Sequence, residues 1–315
     1  MRCTKFSALR WGLLGLIALA GPGGATAEAA TLRWKFKPGE TLRYSIDQKA
    51  VTTAKLPGGQ ELKNALMQTL ELSWSVKEVR DDGTAELVQT IERVVDKTDG
   101  PLGRFEYDSK SGQEPRGPIA ATRVPLFKAM VGVPITFKIN AQGEPSDVKV
   151  PERLTRSLRE AGPAAAAAGQ LFSEEGLKGL ILQTTLVVPK EDLAEGRTWN
   201  RQTRETMPAV GTLVLDTTFT YQGTDTQNGR KVEKIGQATK IDLQPPADAG
   251  NINFPLKVKS QDSRGVIHFD SDAGHLADSR MDETVELTAS IMDMEVTQVT
   301  ETSTVRKLVK DEVAK

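Results

Sequence analysis

The sequence predicts a mainly β protein of the α+β class, in which two similar β-rich halves flank a helical insertion. Three observations predict it: long segments alternate apolar and polar residues, glycine-containing turns separate them, and helix-forming residues concentrate between the halves. The halves would form two duplicated curved antiparallel sheets or one barrel-like arrangement. The expected organisation is a signal peptide at 1–27, a first β half at 28–150, a helical connection at 151–189 and a second β half at 190–315, the last three forming one compact unit.

The first 27 residues have the layout of a secretory signal peptide. Basic residues precede an apolar run from Trp11 to Ala20, and Ala25-Thr26-Ala27 has the small-residue pattern that signal peptidase recognises. The apolar run is too short to cross a bilayer, which needs about 20 residues. We therefore predict a periplasmic or secreted protein with no transmembrane segment after cleavage.

Cleavage after Ala27 would also change the chemistry of the chain. It would remove the only cysteine, Cys3, which excludes disulfides and thiol catalysis from the mature protein. It would also remove three basic residues from a chain of formal charge −1, leaving a charge of −4. A mildly acidic chain without a basic cluster is not typical of nucleic-acid binders, so we expect no nucleic-acid partner.

Alternating apolar residues predict strands in both halves. Residues of one parity would face the core, and residues of the other parity would face solvent. Three such runs are Leu66, Leu70, Leu72, Trp74 and Val76; Leu213, Leu215, Thr217, Phe219 and Tyr221; and Val285, Leu287, Ala289 and Ile291. After Ile291 the apolar parity shifts, which predicts a β-bulge.

Three pairs of turns predict an internal repeat. They keep the same order in the two halves while their spacing contracts, so the second half would be a shortened copy of the first. The pairs are Pro38-Gly39-Glu40-Thr41 with Glu195-Gly196-Arg197-Thr198, Asp82-Gly83 with Asn228-Gly229, and Phe137-Lys138-Ile139-Asn140 before Gly143 with Ile267-His268-Phe269-Asp270 before Gly274. The alternative is that glycine turns recur in any β protein.

Helical signals dominate the connection between the halves. Pro151-Glu152 opens a run that Gly162-Pro163 stops, and an amphipathic stretch extends from Leu171 to about Leu186. The alanine run at 164–168 would form either a packed helix or a linker. A shorter helix is predicted at 124–131.

The segment LRWKFKPGETLRY, from Leu32 to Tyr44, carries the pattern W-x-F-x-x-G-[DE]-x-[LF]-x-Y. It resembles the start of an uncharacterised family of exported bacterial β-rich proteins. The resemblance implies export and a β fold, and it implies no activity and no site residues. Taken alone, the segment predicts a hairpin in which Trp34 and Phe36 share one strand and Leu42 and Tyr44 share the next.

Motifs for catalysis are absent. The sequence contains no H-E-x-x-H, no P-loop, no G-x-G-x-x-G and no G-x-S-x-G. Adjacent acids such as Glu174-Glu175 stand at a predicted helix start, where acids are common in any case. We therefore favour a binding protein over an enzyme and predict no cofactor.

One acidic segment is a candidate metal site. His268, Asp270 and Asp272 alternate there, and His275 follows a turn at Gly274. The spacing departs from an EF-hand loop, because position twelve counted from Asp270 is a methionine. The alternative is a polar hairpin end in which Asp272 helps to form the turn.

Two functions remain open at this stage. The first is a carrier that holds a hydrophobic or lipid-like ligand between curved sheets under a helical lid. The second is a structural or protein-interaction module that contacts a partner in the cell envelope. The residues predicted to line a ligand site, whose alternative role is ordinary core packing, are Trp74, Phe172, Leu177, Leu180, Ile181, Phe219 and Tyr221.

Overall fold

The computed structural model describes residues 29–160, 173–207, 211–227, 229–245, 256–291 and 294–309. The predicted signal peptide, the alanine run and Phe172 lie outside these residues. Before the helical region the strands are β1 Thr41–Lys55, β2 Glu61–Val79, β3 Ala85–Gly100, β4 Gly103–Asp108, β5 Ile135–Ile139 and β6 Pro145–Lys149. The described helices are α1 Pro118–Met130, α2 Glu152–Glu160 and α3 Glu174–Thr184. The remaining strands are β7 Thr198–Met207, β8 Gly211–Gln227, β9 Arg230–Gln244, β10 Leu256–Asp270, β11 His275–Ile291 and β12 Met294–Val309.

The described strands form one antiparallel sheet. Its order is β6-β5-β3-β2-β1-β12-β11-β10-β9-β8-β7, and β4 pairs with β3 beside this path. The predicted mainly β fold with a helical insertion is confirmed, since α2 and α3 lie between β6 and β7 in the chain. The two halves join where β1 pairs with β12, so they share one sheet and do not form two separate sheets. This sheet is not closed into a barrel, because its path ends at β6 and β7.

The open sheet curls around α3. This helix contacts both β6 and β7, which stand at opposite ends of the strand order. Ser173 caps the helix, because its hydroxyl accepts a hydrogen bond from the Gly176 amide at 3.1 Å, and Glu174 and Glu175 occupy the first turn. These two acids therefore have a structural role at the helix start. The face of the sheet that surrounds α3 is the concave face.

The segment before β1 does not form the predicted hairpin strand. It crosses the end of the concave face, where the Trp34 amide donates to the Ala141 carbonyl at 2.9 Å and the Lys35 amide donates to the Gly274 carbonyl at 2.8 Å. The Trp34 indole is buried and donates to the Leu186 carbonyl at 2.8 Å. A strand paired with β1 would leave this end of the sheet uncovered, and burial of the indole favours the crossing instead.

One of the three pairs of turns predicted as repeats makes matching hydrogen bonds in the two halves. The turn before β1 is bonded to the end of β2, and the turn before β7 is bonded to β8 in the same way. In the first half the Gly39 amide donates to the Val76 carbonyl, and the Val76 amide donates to the Glu40 carbonyl. In the second half the Gly196 amide donates to the Tyr221 carbonyl, and the Tyr221 amide donates to the Arg197 carbonyl. Both glycines have positive φ, 79° and 85°. The equivalence concerns this pair of turns alone, and the internal duplication stays a prediction.

The parity shift after Ile291 is not a bulge. Strand β11 ends at Ile291 and β12 begins at Met294, and these two residues are paired across a hairpin. Reversal of the chain restarts the alternation on the next strand, which produces the same shift in sequence as a bulge would.

Aromatic residues dominate the packed core. The Trp34 ring lies 5.9 Å from Trp74 and 5.5 Å from Phe269, measured between ring centroids. Phe137 and Phe219 are also fully buried. A second, smaller cluster lies under α1 and contains Val94, Phe105, Tyr107, Ala120, Val124 and Phe127. None of the described helices is long and apolar enough to cross a bilayer.

Candidate functional site

The concave face has two parts that differ in burial. At the packed end, where the segment before β1 crosses, residues such as Leu42, Trp74, Phe219 and Ile235 are buried. Farther along the same strands, aliphatic residues continue on the same face but stay partly exposed. We call these residues the distal apolar patch: Leu213, Leu215, Ile241, Leu243, Leu256, Val258, Val285, Leu287, Ala289 and Val296.

Strand register places the distal apolar patch on five neighbouring strands. Leu215 pairs with Ile241 across β8 and β9, and Leu287 pairs with Val258 across β10 and β11. The paired ladder between β9 and β10 ends at Ala238 and Arg264. Beyond it the Gln261 amide nitrogen donates to the Ile241 carbonyl at 2.8 Å, which ties the two strands together inside the patch.

The opposite face of these strands is mostly polar. Lys240 and Asp242 flank Ile241 on β9, and Glu286 and Thr288 flank Leu287 on β11. Because neighbouring residues of a strand point to opposite faces, this alternation separates an apolar concave face from a polar convex face on β9 and β11. On β8 the convex-face residue between Leu213 and Leu215 is Val214, which is apolar and buried. Partly exposed aliphatic side chains on a concave surface are the kind of surface that takes up apolar ligands.

Three predicted site residues meet under α3. Leu177 and Ile181 are buried, and Leu180 remains 37% exposed. With Leu154 and Ile135 they line an apolar cavity of about 50 Å³. Drug-sized ligands occupy pockets of about 300–1,000 Å³, so this cavity is too small for a lipid as it stands.

The other predicted residues lie elsewhere in the core. The Trp74 indole donates to Gln89 Oε1 at 2.9 Å, and Gln89 lines the cavity under α3. Phe219 stacks on Trp199, with ring centroids 5.4 Å apart, and Tyr221 lies farther along β8. The structure therefore groups the three helix residues with Trp74 nearby, and it places Phe219 and Tyr221 outside that cavity.

Two arginines reach the C-terminal end of α3 from the sheet. The last turn of this helix contains no basic residue of its own. Arg201 of β7 donates from Nη1 to the Leu182 carbonyl at 2.8 Å and to the Thr185 carbonyl at 3.2 Å, and Arg306 of β12 donates to the Thr184 carbonyl. Cations stabilise helix C-termini, where the backbone carbonyls carry partial negative charge.

Arg201 is a partly buried cation without a carboxylate partner among the described residues. Its guanidinium carbon lies 5.3 Å from the centroid of the Phe219 ring, and its Nε is buried without a hydrogen-bond partner. Burial lowers the pKa of Arg201 to about 10. Burial also lowers the pKa of Arg306 to about 10, and the charge of Arg201 acts in the same direction. The two guanidinium groups therefore concentrate positive charge at the end of α3.

A separate polar pocket of about 300 Å³ surrounds Glu233, whose side chain is 2% exposed. Three hydroxyl groups donate to this carboxylate, and Lys231 Nζ lies 3.9 Å from its Oε1. Tyr221 donates to Oε2 at 2.6 Å, Thr224 donates to the same oxygen at 3.1 Å, and Ser271 donates to Oε1 at 3.2 Å. Burial, followed by the Glu233 carboxylate, raises the pKa of Tyr221 to about 12. These contacts tie β8 and β9 to the turn after β10.

The metal candidates do not form a ligand set. His268 Nδ1 lies 2.8 Å from Asp278 Oδ1, and the Asp270 carboxylate accepts a hydrogen bond from the Ala273 amide at 2.8 Å. Asp272 is exposed. Over the described ranges, no group of three His, Cys, Asp or Glu side chains is arranged to hold a metal ion. The alternative prediction, a polar hairpin end, fits this arrangement, because Asp270 caps the turn.

Sequence reasoning missed Arg201, Arg306 and Glu233 as site residues. The alternation of β7 could have indicated Arg201, because this residue shares its strand face with Trp199. A charged residue on an apolar strand face needs a partner or a function. The contact between Arg306 and α3 joins residues far apart in sequence, so no local pattern indicated it.

Comparison with solved structures finds distant similarities. A structure of lipovitellin in a study of lipid–protein interactions is 17% identical with a TM-score of 0.46, and the match covers 88% of this chain and 26% of that one. The chain thus spans about a quarter of that protein. DynF from the dynemicin biosynthesis pathway of Micromonospora chersina is 10% identical with a TM-score of 0.22, covering 93% and 92%. An outer membrane channel from Pseudomonas putida F1 is 7% identical with a TM-score of 0.25, covering 88% and 97%.

Comparison with curated proteins finds no match. A model of a protein family matches residues 82–274, which is more than half of the chain. The match extends from the turn before β3 to the turn after β10, and the opening pattern at 32–44 precedes it. The chain therefore belongs to a family of unknown function, DUF6263.

Proposed function

We propose that this protein is an exported carrier that binds a hydrophobic or lipid-like ligand on the concave face of its sheet. The observation that carries the proposal is the distal apolar patch. There the strands keep an apolar concave face beyond the packed core, and the side chains remain partly exposed. An alternating strand that needed only to be soluble would carry polar residues on both faces at this point.

The shape of the sheet supports binding of an elongated ligand. The patch extends along the strands from Leu215 to Leu213 on β8 and from Val285 to Ala289 on β11. Apolar burial stabilises a complex by about 25 cal/mol per Å² of surface removed from water. A flexible acyl chain that lies across these strands would bury area on each of them.

The first half of the chain extends the same surface. Leu62 and Leu66 of β2 and Ala50 and Ala54 of β1 occupy the concave face in register with β12, and they are also partly exposed. Both sets of aliphatic residues therefore lie on the concave face of the same sheet. A ligand that reaches this face from solvent would not have to pass the small cavity under α3.

Native mass spectrometry tests the proposal directly. Protein purified from its own host should carry an additional lipid-sized mass that is lost on denaturation. The paired variants Leu215→Glu and Leu287→Glu should abolish this mass, because each places a charge in the patch. The matched controls Lys240→Glu and Thr288→Glu place the same carboxylate on the convex face and should leave the mass unchanged.

The alternative function, a protein-interaction module, gives a different result in the same experiment. It predicts a ligand-free chain and a protein partner whose binding the patch variants weaken. Far-UV circular dichroism of each variant establishes that the sheet is intact. Wild-type protein without a bound mass, and without uptake of a fluorescent fatty acid in solution, would contradict the carrier.

A further inference from the structure

Arg201 stands at the inner border of the distal apolar patch. On β7 it pairs with Thr217 of β8, and the next concave-face position along β8 is Leu215, which belongs to the patch. Its guanidinium carbon lies 5.3 Å from the centroid of the Phe219 ring, which stacks on Trp199. By strand register, the first patch residue is one concave-face position farther along β8. A ligand lying in the patch would end at this cation.

The described hydrogen bonds of Arg201 use only one of its nitrogens. Nη1 donates to the carbonyls of Leu182 and Thr185, whereas Nε is buried without a partner. The edge formed by Nε and Nη2 is an edge through which a guanidinium makes two parallel hydrogen bonds to a carboxylate or phosphate. Within the described part of the chain no protein carboxylate occupies that edge.

Capping of α3 accounts for the contacts of Nη1, because a partly buried cation stabilises a helix C-terminus, and it leaves Nε without a partner. Burying a cation without a counterion is costly, and an anion that pairs with it recovers part of that cost. Arg306, which donates to the Thr184 carbonyl, adds a second positive charge next to the first.

We propose that Arg201, supported by the charge of Arg306, binds the anionic head group of a lipid whose acyl chain lies along the distal apolar patch. The head group would be a carboxylate or a phosphate, since both match the free guanidinium edge. This inference rests on the proposed carrier function and narrows its ligand to anionic amphiphiles.

Binding of matched twelve-carbon ligands tests the inference. The wild-type protein should bind dodecanoate and dodecyl phosphate at least about tenfold more tightly than dodecanol in calorimetric titrations, because a hydrogen bond to a charged group contributes about 1.5–3 kcal/mol. Equal affinity for the charged and uncharged ligands would overturn the proposal. Inorganic phosphate alone should not bind measurably, and if it binds as tightly as dodecyl phosphate the site is a phosphate site and the lipid is wrong.

Variants assign the preference to Arg201. Arg201→Gln should remove the preference for the charged ligands while leaving the affinity for dodecanol within about twofold, which also reports that the patch is folded. Arg201→Lys should keep part of the preference, because it retains the charge and loses the bidentate geometry. Arg204→Gln on the exposed face of the same strand is the matched control and should change nothing.

The outcomes separate the two proposals. If neither dodecanol nor dodecanoate binds, the carrier function itself fails. If both bind and Arg201→Gln keeps the wild-type preference, the carrier function stands and the role of Arg201 is wrong.

Discussion

The two ends of the concave face have the same strand pattern and different surroundings. At the packed end Trp74, Phe219 and Ile235 are buried by the segment before β1, by α3 and by the chain that follows α3. In the distal apolar patch the same strands carry Leu215, Leu287 and other aliphatic residues that stay partly exposed. Alternation therefore makes a face apolar, and the elements lying across that face decide whether it becomes core or binding surface.

The two ends of the concave face also differ in how much they contribute to stability. The packed end joins both halves, since Trp34 contacts Trp74 of β2 and Phe269 of β10. The patch has no comparable contact among the described core clusters. We expect substitutions at the packed end to unfold the protein and substitutions in the patch to leave it folded with altered binding.

The largest effect is expected for Trp34→Ala. The substitution removes ring contacts with Phe36, Trp74 and Phe269 and the hydrogen bond to the Leu186 carbonyl. We expect a loss of about 3–5 kcal/mol in the free energy of unfolding, measured by urea denaturation. Trp34→Phe is the control, because it keeps most of the packing and loses the hydrogen bond. A loss below about 1 kcal/mol for Trp34→Ala would mean that the two halves are held together elsewhere.

A second prediction compares two glycines with similar backbone. Gly143 has φ of 88°, and a Cβ there would overlap the Leu186 carbonyl oxygen and the Trp34 indole nitrogen, whereas Gly229 has φ of 75° and open space around its Cα. Both alanine variants pay for the left-handed conformation, about 1–2 kcal/mol. Gly143→Ala must in addition displace the indole that covers the packed end.

We therefore expect Gly143→Ala to lower the midpoint of thermal unfolding clearly more than Gly229→Ala does. Equal losses would show that the chain after α3 moves away from the Gly143 turn without cost, and that the packed end is less tightly built than the indole contact indicates. The pair thus isolates the close approach of Trp34 from backbone strain.

Sequence reasoning predicted the parts of the fold that local chemistry determines. Gly39 and Gly196 have positive φ, which favours glycine, so the sequence indicates a turn at each position. The alternation that includes Leu213 and Leu215 predicts a strand. The pairing of β1 with β12 could not be predicted from local patterns, because it joins residues far apart in sequence, such as Tyr44 and Leu308. One sheet in place of two follows from that single long-range pairing.

The candidate site was predictable only in part, for the same reason. The helix residues Leu177, Leu180 and Ile181 share a face that the helical period reveals, and they do line one cavity. Trp74, Phe219 and Tyr221 were found as apolar strand residues, but alternation cannot tell which section of a long strand will be covered. The coverage depends on the segment at Trp34 and on α3, which approach from distant parts of the sequence.

The smallest stability effect is expected for Leu287→Ala in the distal apolar patch. Leu287 pairs with Val258 and Gln298 on the neighbouring strands and remains partly exposed, so truncation removes less buried area than in a core and leaves no closed cavity. We expect a loss of about 0.5–1 kcal/mol in urea denaturation, against about 2–5 kcal/mol for a leucine in a packed core. Leu72→Ala, at a buried position on β2, is the packed-end counterpart. Uptake of a fluorescent fatty acid should fall for Leu287→Ala although its unfolding changes little. Losses of equal size for the two variants would show that the patch is core in solution, and the distinction between the two ends of the concave face would then not hold.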